Sequence, residues 1–387
     1  MPDAVDVAVI GAGPFGLSVA AHLGARARVF GAPMETWRTR MPPDMLMRSA
    51  WEETSLSAAG GAGTIDEWAA AVGEQKVEPL PLQTFLRYAD WFRERYVPDH
   101  DPHAVAQVVA AGDAFRVTTA RGDEVEARTL VIAVGVTPFP HAPPVFEPLL
   151  GSPVGFAVEE PDVSALAGRR VLVVGAGQAG LETAGIAARE GADVELVTRS
   201  DVRWFADREP QRYQSPVRRR LYRLAYPAVG YGPPPLNRLV LHPDLFAALP
   251  AGLRRRLTSR LLRPGGSPWV RGLVEGRVRL TEAVVPVRAE ERDGAVRVEL
   301  SDGSSREVDR VLLATGYRFD LDRLGLIEKP LRRRVRTEDG WPVLDRHFRS
   351  TDPRVLFAGY PAEGRFGPIS RFVLGCDFTA TRIASAL

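Results

Sequence analysis

Apolar and polar positions fall along this chain in two rhythms. Nearly unbroken apolar runs occur at Val7-Ala8-Val9-Ile10, Thr129-Leu130-Val131-Ile132-Ala133, Val171-Leu172-Val173-Val174, Val308 to Ala314 and Val355-Leu356-Phe357. Such runs read as strands buried on both faces. Phe115 to Thr119 and Val296 to Leu300 alternate instead, as strands with one face in water do. Each alternating strand leads through a turn, Arg121-Gly122-Asp123 or Asp302-Gly303, into a buried run and then a glycine, Gly135 or Gly316. Helical spacing appears in Pro81 to Tyr96, where Phe85, Tyr88 or Ala89, and Phe92 share a face. Pro14 to Ala25 has the small and apolar residues of a helix packed on a sheet, and a helix is expected around residues 371–386. Trp204 to Arg271, rich in arginine and proline, has no clear period.

Two of the buried runs end in the same loop. Gly11-Ala12-Gly13-Pro14-Phe15-Gly16 follows the first, and Gly175-Ala176-Gly177-Gln178-Ala179-Gly180 follows the third. Both fit G-x-G-x-x-G at a strand-to-helix junction, the context in which the pattern binds a dinucleotide. The first glycine makes the tight turn. The second lets backbone approach a pyrophosphate, and the third lets helix pack on strand. The helix N-terminus then faces the phosphates. Short second strands follow at Arg28-Val29-Phe30 and Val194-Glu195-Leu196-Val197. The halves therefore repeat one plan: glycine loop, helix, strand, meander, buried strand, glycine. Two dinucleotides in one chain suggest a flavin and the nicotinamide that reduces it.

The expected fold is α/β, with two Rossmann-like dinucleotide-binding domains. Prolines at 138, 140, 143, 144 and 148 suggest a crossing between domains. Residues 1–150 and 316–387 would form one discontinuous domain, and 151–315 a second domain inserted in it. Composition narrows the function. A chain of 387 residues with 45% hydrophobic content has ample core. A net charge of +2 makes no case for nucleic acid or membrane. No run approaches the roughly 20 apolar residues of a membrane span. The N-terminus lacks a signal-peptide pattern, so a soluble cytoplasmic protein is expected. The single cysteine, Cys376, allows neither an intrachain disulfide nor a C-x-x-C pair. The six histidines show no metal-site spacing, so no metal is expected.

The order of motifs resembles the two-dinucleotide-binding-domain flavoproteins, and among them the class B flavin-dependent monooxygenases, which include flavin-containing and N-hydroxylating enzymes. The resemblance spans essentially the whole chain. It rests on both glycine loops, on Leu313-Ala314-Thr315-Gly316-Tyr317, and on Phe357-Ala358-Gly359-Tyr360 with Gly367-Pro368-Ile369. It implies FAD on the first loop, through Gly11, Gly13, Pro14, Phe15 and Gly16, and NADPH on the second, through Gly175, Gly177, Gln178 and Gly180. Thr315, Gly316, Gly359 and Ile369 would complete the flavin site. The implied reaction is reduction of FAD by NADPH, addition of dioxygen to give a C4a-(hydro)peroxyflavin, and oxygenation of a small-molecule nitrogen, sulfur or carbonyl. The protein would supply orientation, electrostatics and exclusion of water.

Several positions depart from that pattern or leave two readings open. The acid that usually binds the adenosine ribose is replaced by Gly31; Glu35 either substitutes or is an ordinary surface carboxylate. Phe156 stands near the place of a fingerprint histidine, and residues 151–168 contain none. Arg199, at the end of the strand after the second loop, suits the 2′-phosphate of NADPH, with Arg203 as a second candidate; either is otherwise a solvated arginine. Trp37 would pack near the flavin or in the core, and Arg38 would meet the pyrophosphate. Met47 would run beside the isoalloxazine. Arg48 would stabilise negative charge on the flavin, or be a surface ion-pair arginine. The arginine runs 218–220, 254–256 and 332–334 read as solvated faces more than as a docking site for an acidic partner. The rival functions are a reductase of the same fold that passes electrons to a partner, and a non-catalytic nucleotide or redox sensor.

Overall fold

The computed structural model describes residues 3–151, 153–205 and 236–387. The first apolar run becomes strand β1 (Asp3–Ile10), whose last four positions are all buried. Helix α1 (Pro14–Leu23) returns the chain to strand β2 (Ala27–Phe30), parallel to β1. A short helix α2 (Glu35–Thr39) and helices α3 (Ile65–Val72) and α4 (Leu82–Tyr96) follow, and α4 buries the predicted face of Phe85, Tyr88, Ala89 and Phe92. Strand β3 (His100–Asp101) adds to β2 in parallel. Strands β4 (Val105–Ala111), β5 (Ala114–Thr119) and β6 (Glu124–Ile132) form a meander whose last strand lies along β1.

The second half repeats the plan. Strands β7 (Val154–Phe156), β8 (Arg170–Val174), β9 (Asp193–Val197) and β10 (Arg279–Thr281) enclose helix α5 (Gln178–Arg189) in sequence. An antiparallel meander, β11 (Pro286–Arg292), β12 (Ala295–Leu300) and β13 (Ser305–Val308), leads to β14 (Arg310–Leu313). The second sheet is parallel throughout, ordered β10-β9-β8-β14-β7. A hairpin of β15 (Thr337–Glu338) and β16 (Trp341–Pro342) comes next. Strand β17 (Val355–Phe357) then rejoins the first sheet, parallel to the last part of β6. The chain therefore forms two Rossmann-like units, and its C-terminal part completes the first sheet.

The two crossings between units lie side by side. The His141 N–H donates to the Gly316 carbonyl at 3.0 Å, and the Arg318 N–H to the Phe139 carbonyl at 2.9 Å. The Thr315 hydroxyl donates to the His141 carbonyl. Phe139 and Phe319 pack with ring centroids 4.7 Å apart.

One part of the expected inserted domain packs elsewhere. Helices Leu236–Val240, Pro243–Ala248 and Ala251–Leu261 place Val240, Phe246, Ala247 and Leu261 in the core of the first unit. Phe246 is completely buried against Gly367, where an added Cβ would lie 2.6 Å from its ring. Helix Pro268–Val274 packs Val270 and Val274 into the second core instead. The arginine run at 218–220 lies outside the described residues. No helix among the described residues is long and apolar enough to cross a membrane.

Candidate functional site

The two glycine loops have the same internal geometry. The Gly11 N–H donates to the Phe30 carbonyl, and the Gly175 N–H to the Val197 carbonyl, both at 2.9 Å. Gly11 has φ 111° and Gly175 φ 113°, backbone that side chains rarely adopt. A Cβ at Gly16 would lie 1.8 Å from the Gly11 carbonyl oxygen, and one at Gly180 2.0 Å from the Gly175 oxygen. These glycines are required by the protein's own packing. The middle glycines are not. A Cβ at Gly13 would meet nothing within 4 Å, and one at Gly177 only Pro264, at 3.9 Å. In each loop the open glycine caps a helix that has no side-chain cap, α1 after Gly13 and α5 after Gly177. Free helix N–H groups thus face space kept clear of side chains, which is what an approaching pyrophosphate needs.

Polar atoms without partners mark the surroundings of both loops. Beside the second, Ser267 Oγ is buried without a hydrogen bond, and the Ser267 N–H donates to Gln178 Oε1 at 2.8 Å; Trp269 Nε1, on the helix that follows, is also buried and unpaired. On the closing segment near the first, Ser370 Oγ is likewise buried and unpaired. Buried donors and acceptors normally find partners, so these atoms fit a bound polar group such as a dinucleotide. Sequence reading missed Ser267 and Trp269. The only local signal was the Gly265-Gly266 pair before them, whose backbone threads between Trp204 and Leu181.

The first loop meets the closing segment directly. Gly359, at φ 70°, lies so close to Phe15 that a Cβ would be 2.9 Å from the ring. Ile369 is buried beyond it. Met47 is buried too, and its N–H donates to the Leu80 carbonyl at 2.7 Å. Trp37 packs edge-on against Phe85, with centroids 5.2 Å apart. Arg38 pairs with Asp90 on α4 at 2.7 Å and also donates to the Pro33 carbonyl. Glu35 is exposed in the first turn of α2. Gly31, at φ 116°, donates its N–H to the Asp101 carbonyl, and its own carbonyl lies 2.9 Å from His100 Nε2.

The seam between units is lined from both sides. Arg48 is exposed, with its guanidinium 3.8 Å from the centroid of the Phe205 ring in the second unit. On the same loop, Asp44 pairs with Arg189 of α5 at 3.3 Å. Glu182, also on α5, is buried. Burial pushes its carboxyl up to about 7, with the nearby charge of Asp44 acting in the same direction. Arg199 and Arg203 are exposed beyond the end of β9. A cleft of about 520 Å³ lies at the opposite end of the second sheet, lined by Val154, Arg169 and Arg310 at the starts of strands. Open parallel sheets bind dinucleotides at the other, carboxyl end, where both glycine loops lie. Among the described residues no group of three His, Cys, Asp or Glu is placed to hold a metal ion.

The pyridine nucleotide-disulphide oxidoreductase family model matches residues 8–225. Among curated proteins, the chain is 28% identical over 347 residues to the indole-3-pyruvate monooxygenase YUCCA1 of Oryza sativa subsp. japonica, covering 81% of this chain and 77% of that protein. It is 27% identical over 202 residues to a ferredoxin–NADP reductase of Ignicoccus hospitalis, covering 51% of this chain and only 57% of that relative's length. Among solved structures it is similar to the ornithine hydroxylase PvdA of Pseudomonas aeruginosa, with a TM-score of 0.75 at 17% identity over 99% of this chain and 98% of that one. The ornithine N-hydroxylase KtzI of Kutzneria sp. 744 gives 0.76 at 18% identity, again over 99% and 98%. The bacillithiol disulfide reductase Bdr of Staphylococcus aureus gives 0.65 at 16% identity over the same shares.

Proposed function

The chain belongs to the pyridine nucleotide-disulphide oxidoreductase family, and from that premise we propose that it is an FAD- and NADPH-dependent monooxygenase acting on a small molecule and dioxygen. The observation that carries this reading is the pair of matching, open-centred glycine loops in a chain without a dithiol. Cys376 is the single cysteine, and burial pushes its thiol well above the ordinary range. Electrons that reach a flavin here have no protein disulfide to reduce. The similarity to YUCCA1 along most of the chain supports dioxygen as their destination.

Bound FAD supplies a ring that accepts hydride from the nicotinamide and, once reduced, reacts with dioxygen. The residues divide the remaining work. Gly13 lets backbone N–H groups of α1 reach the FAD pyrophosphate, while Phe15 against Gly359 shuts that end of the site. Met47 and Ile369 give it apolar walls that keep out water. Gly177, Gln178 and Ser267 hold the NADPH phosphates, and Arg199, with Arg203, takes the 2′-phosphate through charge-assisted bonds. Arg48 supplies positive charge at the seam.

The test is anaerobic reduction with NADPH, followed by mixing with oxygenated buffer. A transient spectrum before the oxidised flavin returns supports oxygenation. Return in a single phase favours a second reading, a reductase that passes electrons to a partner. Phe156, at the place where the resembling monooxygenases carry histidine, and the partial similarity to a ferredoxin–NADP reductase favour that alternative.

A further inference from the structure

The C-terminal segment handles its buried arginines in two different ways. Arg371 is paired with Glu363 through two hydrogen bonds, and Glu363 is 4% exposed. Eight residues separate the partners, and the charges cancel locally. Arg254 and Arg365 have no such arrangement. Arg254 comes from the helix Ala251–Leu261 and is 12% exposed. Its Nε donates to the Gly364 carbonyl at 3.1 Å, and one terminal nitrogen to the Leu249 carbonyl at 2.6 Å. Carbonyls satisfy the donors and leave the positive charge in place. Among the described residues, the one carboxylate in reach is that of Glu338, at 4.0 Å and 62% exposed. Arg365, half-buried, has no hydrogen bond or ion pair among the described residues, and its Nε is buried without a partner. The two charges oppose each other: burial first, and Arg365 second, lower the pKa of Arg254.

Buried charge is costly unless it is paired. Two guanidiniums with one carboxylate, held near Arg254 at the rim, leave an excess of positive charge and unused donors on Arg365, an arrangement that suits an oxyanion. Arg254 and Arg365 also line a common pocket of about 50 Å³, with Glu338, Trp341, Leu344 and Gly364. That space admits a small anionic group and is far too small for a nucleotide. We propose that this pocket binds a small oxyanion, the carboxylate or phosphate group of a metabolite, between the guanidiniums of Arg254 and Arg365. One arginine comes from a helix of the inserted sequence and the other from the segment that carries Gly359 and Ile369. A bound anion therefore ties these two pieces together. Binding does not depend on the flavin reading.

The test is thermal unfolding of the protein as purified, in sodium phosphate, acetate, pyruvate or chloride at matched ionic strength, with acetamide as the uncharged control. Wild type should rise by about 2–4 °C with phosphate, acetate or pyruvate beyond the chloride control. Arg365→Gln should lose that rise and should unfold in chloride at or above the wild-type midpoint, because one of two like charges is gone. A rise with phosphate or acetate identifies a free-anion site. A rise confined to pyruvate identifies a group carried on a larger molecule. No anion-specific rise in wild type, or the same rise in Arg365→Gln, overturns the proposal. Flavin absorbance of the same sample reports on the cofactor reading separately.

Discussion

A side chain added at Gly13 and one added at Gly16 meet opposite conditions. Gly13 has φ −83°, which any residue adopts, and its added Cβ meets no protein atom within 4 Å. Gly16 has its Cβ position filled by the Gly11 carbonyl. Gly13→Val should therefore fold, with a normal circular-dichroism melt, and purify depleted of flavin, whereas Gly16→Val should fail to fold or melt far lower. Full flavin occupancy in folded Gly13→Val would remove FAD from this loop. Glu182 makes a prediction of another kind. Its carboxyl titrates near 7 in the fold, above the ordinary value of 4.5. Below about 4.5 the folded and unfolded chains are both protonated there, and the group adds no pH dependence. As pH rises through the window from 4.5 to 7, the unfolded chain gives up this proton first, so stability falls, and it levels off above 7. The loss by pH 8 is at most about 3 kcal/mol, at 1.36 kcal/mol per pKa unit. Glu182→Gln should match wild type near pH 4.5 and exceed it at pH 8. Melting curves with the same pH slope in both proteins would show that Glu182 is ionised in the fold. After burial, the groups that act on it are Asp44, itself paired with Arg189, which raises it, and Gln178, whose hydrogen bond lowers it.

Elements differed sharply in how much of them the sequence disclosed. Strands β1, β6, β8 and β14 were legible because the part of each that is covered on both faces is apolar at successive positions. Helix α4 was legible because it buries a single stripe. The helix Ala251–Leu261 was not: it carries Arg254, Arg255, Arg256 and Arg260, and Leu261 is its one fully buried residue. Its apolar contacts are with a unit distant in sequence, and no local period records such contacts. Side-chain partners were hidden for the same reason. Arg38 finds Asp90 across 52 positions, and the Ser267 N–H finds Gln178 across 89. Position at a strand end was readable, and Arg199 rests on that kind of reading. It is exposed just past β9, where a 2′-phosphate would lie in this fold. A charge-assisted contact contributes about 1.5–3 kcal/mol, so Arg199→Ala should weaken NADPH about ten- to a hundredfold and leave NADH nearly unchanged. Equal losses for both nucleotides in a binding titration would make Arg199 structural, and a wild-type preference for NADH would end the 2′-phosphate assignment.

At the scale of the whole molecule, the polar contacts across the seam among the described residues are individually weak. The Asp44–Arg189 pair is about half-exposed, and such pairs contribute about 0–1 kcal/mol. Arg48 on Phe205 adds a cation–π contact of about 0.5–1 kcal/mol at an exposed site. The crossings at 139–141 and 316–318 add backbone hydrogen bonds between the units. A residue on the seam can act either by fastening it or by its charge. Arg48 is the case in point, since Met47 beside it is buried in the wall assigned to the flavin. Arg48→Met removes the charge together with every contact that the guanidinium makes, and Phe205→Ala removes the cation–π contact alone. If the charge acts on the reduced flavin, Arg48→Met should slow oxygenated-product formation about tenfold or more, corresponding to roughly 1.4 kcal/mol or more of lost electrostatic stabilisation. NADPH affinity should stay within about threefold. Phe205→Ala should then keep nearly the full rate. Equal slowing in both variants would assign Arg48 to fastening the seam, and an unchanged rate and coupling in Arg48→Met would leave it an ordinary surface arginine.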